Sequence, residues 1–348
     1  MIKTFLKLLR NLNPESSHHI SILSLKYLSR FLETTYKNEI LNTSFGKLAF
    51  DNPIGIAAGY DKNAEVVDSL FKMGFGFVEC GTVTPVAQYG NPKPRIFRLN
   101  EDRGIVNRLG FNNCGIKKFS RNFNQRNSHL GVAGVNIGPN KDSNNFIDDY
   151  LKVYNSIYEY ADYVTLNVSS PNTRNLRDLQ RTENLRILTY EINSFRESKE
   201  IRKKILLKVD PDSSDEDYSK IINIVQKNKI DGLIVTNTSI FRPEFLKSHH
   251  RNQSGGLSGA PIKEQSNKVL RFISKETQGE LILIGVGGIE SAQDVYEKIK
   301  IGASLVQIYS ALTYNNLGFI NEMNQELSTF LRNDGFSNIK EAVGIEIK

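Results

Sequence analysis

Beyond residue 50 the chain alternates short, β-branched apolar runs with longer stretches of helical spacing. The runs are "IGIAA" (54–58), "GFVECGT" (76–82), "VAGVNIG" (132–138), "YVTLNVS" (163–169), "KILLKVD" (204–210), "GLIVTN" (232–237), "LILIGVG" (281–287) and "SLVQIYS" (304–310). They are apolar almost throughout rather than at every second position, which marks strands covered on both faces. Helical spacing follows over 62–73, 145–160, 214–228 and 290–300. Eight such units predict an α/β fold, a (β/α)8 TIM barrel closed by parallel strands and ringed by helices. The barrel domain is expected over residues 41–348, and residues 1–40 form a helical extension before it. No linker or repeat divides the chain. Two connections run long, 83–112 after the second strand and 238–261 after the sixth, and loops of that length usually form lids or walls.

The extension has a pattern of its own. Ile2, Phe5, Leu6 and Leu9 share one helical face, with Lys3, Lys7 and Arg10 on an adjacent one. A second helix is expected after Asn13, which can cap it with Pro14 at the first position, and Ile20, Leu23, Tyr27 and Phe31 fall on one stripe. Six basic residues against Glu15 and Glu33 place four of the chain's net +7 charges in residues 1–37. Neither apolar run approaches the roughly 20 residues that span a bilayer, and no secretory signal is evident. Such a pair either packs on the main domain as a hairpin or lies on an anionic membrane surface. Composition alone favours packing. Across the chain, 39% hydrophobic and 24% charged residues describe a globular protein, and the positive balance favours anionic partners. Cys80 and Cys114 are too few and too far apart for a disulfide framework or a metal cluster.

A barrel carries its chemistry at the carboxyl ends of its strands. The first strand runs into "AAGYDKN"; the next three end at Thr82, Asn136 and Asn167. The fifth carries Lys208, the sixth ends in Thr236, Asn237 and Thr238, the seventh in "GVGG" and the eighth in "YSA". Glycines where the seventh strand meets a helix, paired with Tyr309 and Ser310 after the eighth, suit a phosphate, the usual ligand of that part of a barrel. A lysine on an inner strand needs an anionic or electron-rich partner, such as a reduced flavin ring, or else a buried salt bridge. Asn107, Asn172, Asn237 and Thr238 offer both donors and acceptors to a flat polar ring, and Lys62 offers a charge to a carboxylate. Singly, each Asn reads as a turn residue. Together at one rim they suggest a small, anionic, amide-containing substrate stacked on a flavin.

These blocks resemble the dihydroorotate dehydrogenase family, specifically its membrane-associated, quinone-dependent class 2. The resemblance covers nearly the whole chain through "NPIGIAAGYDKN", "ECGTVTP", "GNPKPRIFRL", "NRLGFNN", "NIGPNKD", "LNVSSPNT", "TNT", "GGLSGAPI", "IGVGGI" and "GASLVQIYSAL", in that order. It implies an FMN enzyme oxidising (S)-dihydroorotate to orotate, the redox step of pyrimidine synthesis. By resemblance the flavin is held by Ala57, Ala58, Gly59, Tyr60, Asp61, Thr82, Asn136, Asn167, Lys208, Thr236, Gly259, Gly288, Tyr309 and Ser310, the last three around the phosphate. The substrate meets Lys62, Asn107, Arg108, Leu109, Gly110, Phe111, Asn167, Asn172, Asn237 and Thr238. Ser170 is implied as the base that takes a proton from C5 while a hydride passes from C6 to the flavin. Thr173 and a water shielded by Phe111 give the proton an outlet, and Ser169 falls on the other side of the strand as a packing residue. Class 1 relatives use a cysteine as base, and neither cysteine here matches that position.

The same resemblance makes the basic extension a peripheral membrane contact, on an inner or cytoplasmic membrane surface. The extension would frame a tunnel for ubiquinone or menaquinone, with His18, Arg98 and Tyr309 at its inner end. Three positions depart from the family pattern: Asn175 where glycine is usual, Leu109 where methionine or tyrosine is common, and Asp210 close after Lys208. Asn tolerates a left-handed backbone, so the turn at 175 can survive. The rival readings are a soluble flavin barrel using fumarate or NAD, a tRNA-dihydrouridine reductase, and a phosphate-binding barrel without catalysis. No basic stripe interleaved with aromatics points to nucleic acid.

Overall fold

The structure is a computed structural model that describes residues 12–29, 35–200, 202–316 and 318–347. Among the described residues a helix, Pro14–Leu28, comes first, followed by a hairpin of β1 (Thr43–Phe45) and β2 (Leu48–Phe50). The barrel strands are β3 (Ile54–Ile56), β4 (Phe77–Val83), β7 (Val132–Ile137), β8 (Tyr163–Asn167), β9 (Lys204–Val209), β10 (Gly232–Val235), β12 (Ile282–Val286) and β13 (Leu305–Ile308). They close in chain order, each pair parallel, with β13 against β3. All eight apolar runs in the sequence are therefore the eight barrel strands. The predicted helix over 62–73 is shorter, Val67–Lys72, because the residues before it form an irregular turn.

The remaining strands come from the two long connections. β5 (Ile96–Leu99) and β6 (Gly104–Asn107) lie in the first, β11 (Gly256–Gly259) in the second, and they join as one antiparallel sheet above the barrel. The two loops thus form a single wall.

Apolar side chains fill the barrel's lower half. Phe77, Tyr163, Leu206, Ile234, Ile284 and Leu305 pack there against Phe45 and Phe50 of the hairpin. Two glycines make this possible: a Cβ on Gly55 would lie 2.4 Å from the Phe77 ring, and one on Gly134 would lie 2.1 Å from that of Tyr163. With the lower half plugged, polar groups on the same strands face upward into the rim.

The Pro14–Leu28 helix begins as its sequence predicts, with Asn13 Oδ1 accepting from the backbone N–H groups of Glu15 and Ser16. It is tied to the barrel by Arg95, whose guanidinium spans both Glu15 carboxylate oxygens, and by Ser69 Oγ donating to the Leu25 carbonyl at 2.9 Å. Its packed face is Ser17, Ile22 and Leu25, not the predicted stripe. Leu23 and Tyr27 point outward, 40% and 66% exposed, beside Leu28 at 52%. The first amphipathic helix read from the sequence, and Phe31, lie outside the described residues. No helix among the described residues is long and apolar enough to cross a membrane.

Candidate active site

Above the polar ends of the strands lies a cleft with an empty volume of about 1050 Å³. Most of the residues singled out by sequence line it. Ala57, Ala58, Gly59 and Lys62 follow β3, Thr82 ends β4, and Asn107, Leu109, Gly110 and Phe111 come from the first long connection. Asn167, Ser170 and Asn172 follow β8, Lys208 stands on β9, and Thr236, Asn237 and Thr238 follow β10. Gly259, Gly288, Tyr309 and Ser310 complete the wall. Val286 and Gly287 of the "GVGG" turn line it as well, and so do Ser258, Ile262 and Gln307, which had not been singled out.

Other named side chains sit elsewhere. The Asp61 carboxylate is spent on the turn before the next helix, accepting from the N–H groups of Glu65 and Val66 at 2.8 Å each. Burial pushes its acid up to about 6. Asn136 lies behind the wall and reaches it through Thr82, whose Oγ1 donates to Asn136 Oδ1 at 2.6 Å. Arg108 points away, stacking on Phe97 and bonding Gln253 and Ser254. Asp210, close after Lys208, turns toward Gln180 and Ser213 and accepts from the Asp212 N–H at 2.6 Å.

The floor is a polar network that sequence reasoning missed. Glu79 is fully buried on β4 and accepts from Asn136, Tyr163, Thr165 and Gln307. A carboxylate inside the apolar run "GFVECGT" was the available signal, since a charge there must find several partners. Gln307 spends its amide N–H on Glu79, while its buried Oε1 has no partner among the described residues. Lys208 is likewise buried, and its ammonium makes no hydrogen bond to a described residue. Burial holds it below the ordinary lysine range, and the charge of Glu79 partly restores it. An unpaired acceptor and an unpaired cationic donor therefore share one floor.

The amides form the facing wall. Asn172 Nδ2 donates to Asn107 Oδ1 at 3.1 Å, and Asn237 Nδ2 donates to Asn167 Oδ1 at 3.1 Å and Ser169 Oγ at 3.0 Å. Ser169 Oγ in turn donates to the Lys208 carbonyl at 2.6 Å, so this serine braces the strand ends. Ser170 faces the cleft instead, its Oγ accepting from the Asn172 N–H at 3.3 Å. Thr173 is buried nearby with its Oγ1 unpaired among the described residues. Phe111 holds φ 52°, a left-handed backbone that is costly for a bulky residue and occurs where surroundings enforce it. Asn175 also adopts the left-handed region, at φ 58°, as its residue type allows.

A second cavity opens between the Pro14–Leu28 helix and the barrel, with an empty volume of about 1000 Å³. His18, Tyr60 and Arg98 line it, and Asn107, Leu109 and Tyr309 line both cavities as a shared partition. The His18 and Tyr60 rings meet edge to face at 5.2 Å, and Tyr60 meets Tyr309 at 6.4 Å. Lys62 bridges the two spaces: its Nζ donates to the Gly59 carbonyl at 2.6 Å and lies 3.5 Å from His18 Nε2. Burial lowers Lys62 to about 8, with Glu15 pulling it back up. Burial and the adjacent Lys62 charge hold His18 well below its ordinary value. Burial pushes the Tyr309 hydroxyl up to about 12.

The family model for dihydroorotate dehydrogenase matches residues 40–331. The protein named dihydroorotate dehydrogenase (quinone) from Rhodospirillum rubrum is 43% identical over 341 residues, covering 97% of this chain and 93% of its own. The chain belongs to the dihydroorotate dehydrogenase family. A relative of the same name from Erythrobacter litoralis is 44% identical, with 96% of each chain covered. The quinone-linked relatives place the chain in class 2, and it is an oxidoreductase. Among solved structures, the Eimeria tenella family member in complex with ferulenol has a TM-score of 0.92 at 37% identity, over 96% of each chain. Its ligand-free form gives the same score and identity.

Proposed function

We propose that this chain oxidises (S)-dihydroorotate to orotate in de novo pyrimidine synthesis, using FMN and passing the electrons to a membrane quinone. The observation that carries this reading is the pairing of a cleft floor bearing Lys208 and Gln307 Oε1, a donor and an acceptor with no hydrogen-bond partner among the described residues, with an amide wall carrying Ser170. The mixed C=O and N–H edge of a flavin ring suits that floor. The glycine turn before Ile289, with Tyr309 and Ser310, suits the phosphate. FMN would be held by the backbone of Ala57 to Asp61, by Thr82, Asn167, Lys208 and Thr236, and by Gly259, Gly288, Tyr309 and Ser310. Asn136 would act through Thr82. Bound there, FMN would supply the acceptor for a hydride leaving C6 of the substrate.

Lys62 would bind the substrate carboxylate, while Asn107, the loop to Phe111, Asn172, Asn237 and Thr238 hold the ring by its amide edges. Ser170 would take the C5 proton. A hydroxyl is a weak base, so its placement must supply much of the rate. Thr173, whose hydroxyl has no partner among the described residues, offers the onward step for that proton through water. His18, Arg98 and Tyr309 would meet the quinone in the second cavity, where Tyr309 forms part of the partition. Leu23, Tyr27 and Leu28, turned away from the barrel, would rest on a membrane surface. A steady-state assay against a panel of acceptors tests the reading. Quinone is expected to sustain turnover, and turnover with fumarate or NAD instead would overturn it.

A pH dependence follows from Lys62. A carboxylate needs the charged amine, and Lys62 loses its proton from about 8 upward. Orotate affinity is therefore expected to be flat below that pH and to weaken above it, by about tenfold per unit at the limit. Calorimetric titration checks it, and Lys62→Arg, whose guanidinium stays charged, should remove the break.

A further inference from the structure

One arginine outside the cleft touches both of its working walls. Arg177 sits in the short helical turn Leu176–Gln180, immediately after the left-handed Asn175. Its Nε donates to the Ser169 carbonyl at 3.1 Å, one NH2 group to the Thr238 carbonyl at 3.1 Å and the other to Asp212 Oδ2 at 3.0 Å. The planar fork is thus used on three sides at once, a geometry lysine cannot reproduce. Asp212 extends the connection, accepting from Ser239 Oγ, the Ile240 N–H at 2.9 Å and Gln265 Nε2 at 3.0 Å.

The contacted residues are informative. Ser169 directly precedes Ser170, and Thr238 directly follows Asn237 and begins the long connection that forms the upper wall. The Ser169 hydroxyl is already committed to Lys208 and Asn237, so its carbonyl is the free handle on the serine loop. We propose that Arg177, held by Asp212, is a positioning residue that locks the Ser170 loop to the amide edge at Asn237–Thr238, so that the proton-accepting hydroxyl and the ring-holding groups share one rigid frame. The inference rests on the functional reading above, and it adds a residue that touches neither substrate nor cofactor.

The test uses the flavin-loaded protein and two variants, Arg177→Met and Arg177→Lys. Anaerobic reduction by dihydroorotate is expected to slow by about 30-fold in Arg177→Met, because a misplacement near 1 Å costs up to about 10²-fold. Orotate affinity by calorimetry and bound FMN should change by less than about threefold, since the ligand contacts themselves remain. Deuterium at C5 should slow the variant more than it slows the parent, while the effect of deuterium at C6 falls, because the misplaced base makes proton removal the slower event. Lysine recovers the charge but not the fork, so Arg177→Lys should show the same isotope pattern with a smaller loss. If Arg177→Met does not fold, Arg177→Lys decides on the same readouts. Reduction near the parent rate with unchanged isotope effects overturns the proposal. A slower rate with lost FMN and an unchanged C5 effect overturns it too, since that marks general loosening. If the parent protein itself is not reduced by dihydroorotate, the functional reading has failed instead.

Discussion

Ser170→Ala is expected to lower the rate of anaerobic reduction by dihydroorotate by about 10²–10⁴-fold, the range lost with a general base, while FMN stays bound. Position sets Ser170 apart. Among the hydroxyls after β8, Ser169 is committed to the Lys208 carbonyl and Thr173 lies behind the wall, whereas Ser170 lines the cleft. Among the described residues its one hydrogen bond is accepted from the Asn172 N–H at 3.3 Å, so it remains able to accept a proton. The substitution removes one oxygen and only the 3.3 Å bond from the Asn172 N–H, so folding should be little affected. Stopped-flow absorbance measures the rate, and visible absorbance of the purified protein measures the flavin. Reduction within a few-fold of the parent would remove Ser170 from its role.

The second large effect is expected at Lys208. It is a buried ammonium whose charge is balanced at a distance by Glu79, and it has no hydrogen-bonded partner among the described residues. Such a group is costly to bury unless a ligand completes it. Lys208→Met should therefore leave the barrel folded, or even slightly stabilise it without ligand, while FMN affinity falls by about 10²-fold, the equivalent of a charge-assisted hydrogen bond of up to roughly 3 kcal/mol. Thermal unfolding with and without added FMN separates the two effects. A variant that keeps its flavin and its full rate would show that Lys208 serves only the Glu79 network.

Much of this was legible in the chain. The eight strands were readable because parallel barrel strands are apolar on both faces, and Thr82, Asn167, Lys208 and Thr236 to Thr238 followed from knowing where those strands end. Asn175 was readable too, since few residue types accept its backbone angle. What was hidden depends on contacts distant in sequence. Nothing local announces that residues 96–107 and 256–259 pair with each other, or that Asp61 and Arg108 turn their side chains away from the cleft. The stripe on the Pro14–Leu28 helix misled because hydrophobic residues there mark two faces. Ile22 and Leu25 pack inward, and Leu23 and Tyr27 face out. Glu79 was overlooked because its four partners come from three other strands.

The proposed function requires one cleft to bring flavin and dihydroorotate together, with a second route for the electrons to leave. Anaerobic addition of dihydroorotate to the purified protein tests it most directly. The protein is expected to be yellow, to bleach with this substrate and to regain its colour with a quinone, but not with fumarate or NAD. A colourless protein that takes up no FMN, or a yellow one that dihydroorotate leaves unchanged, would contradict that function.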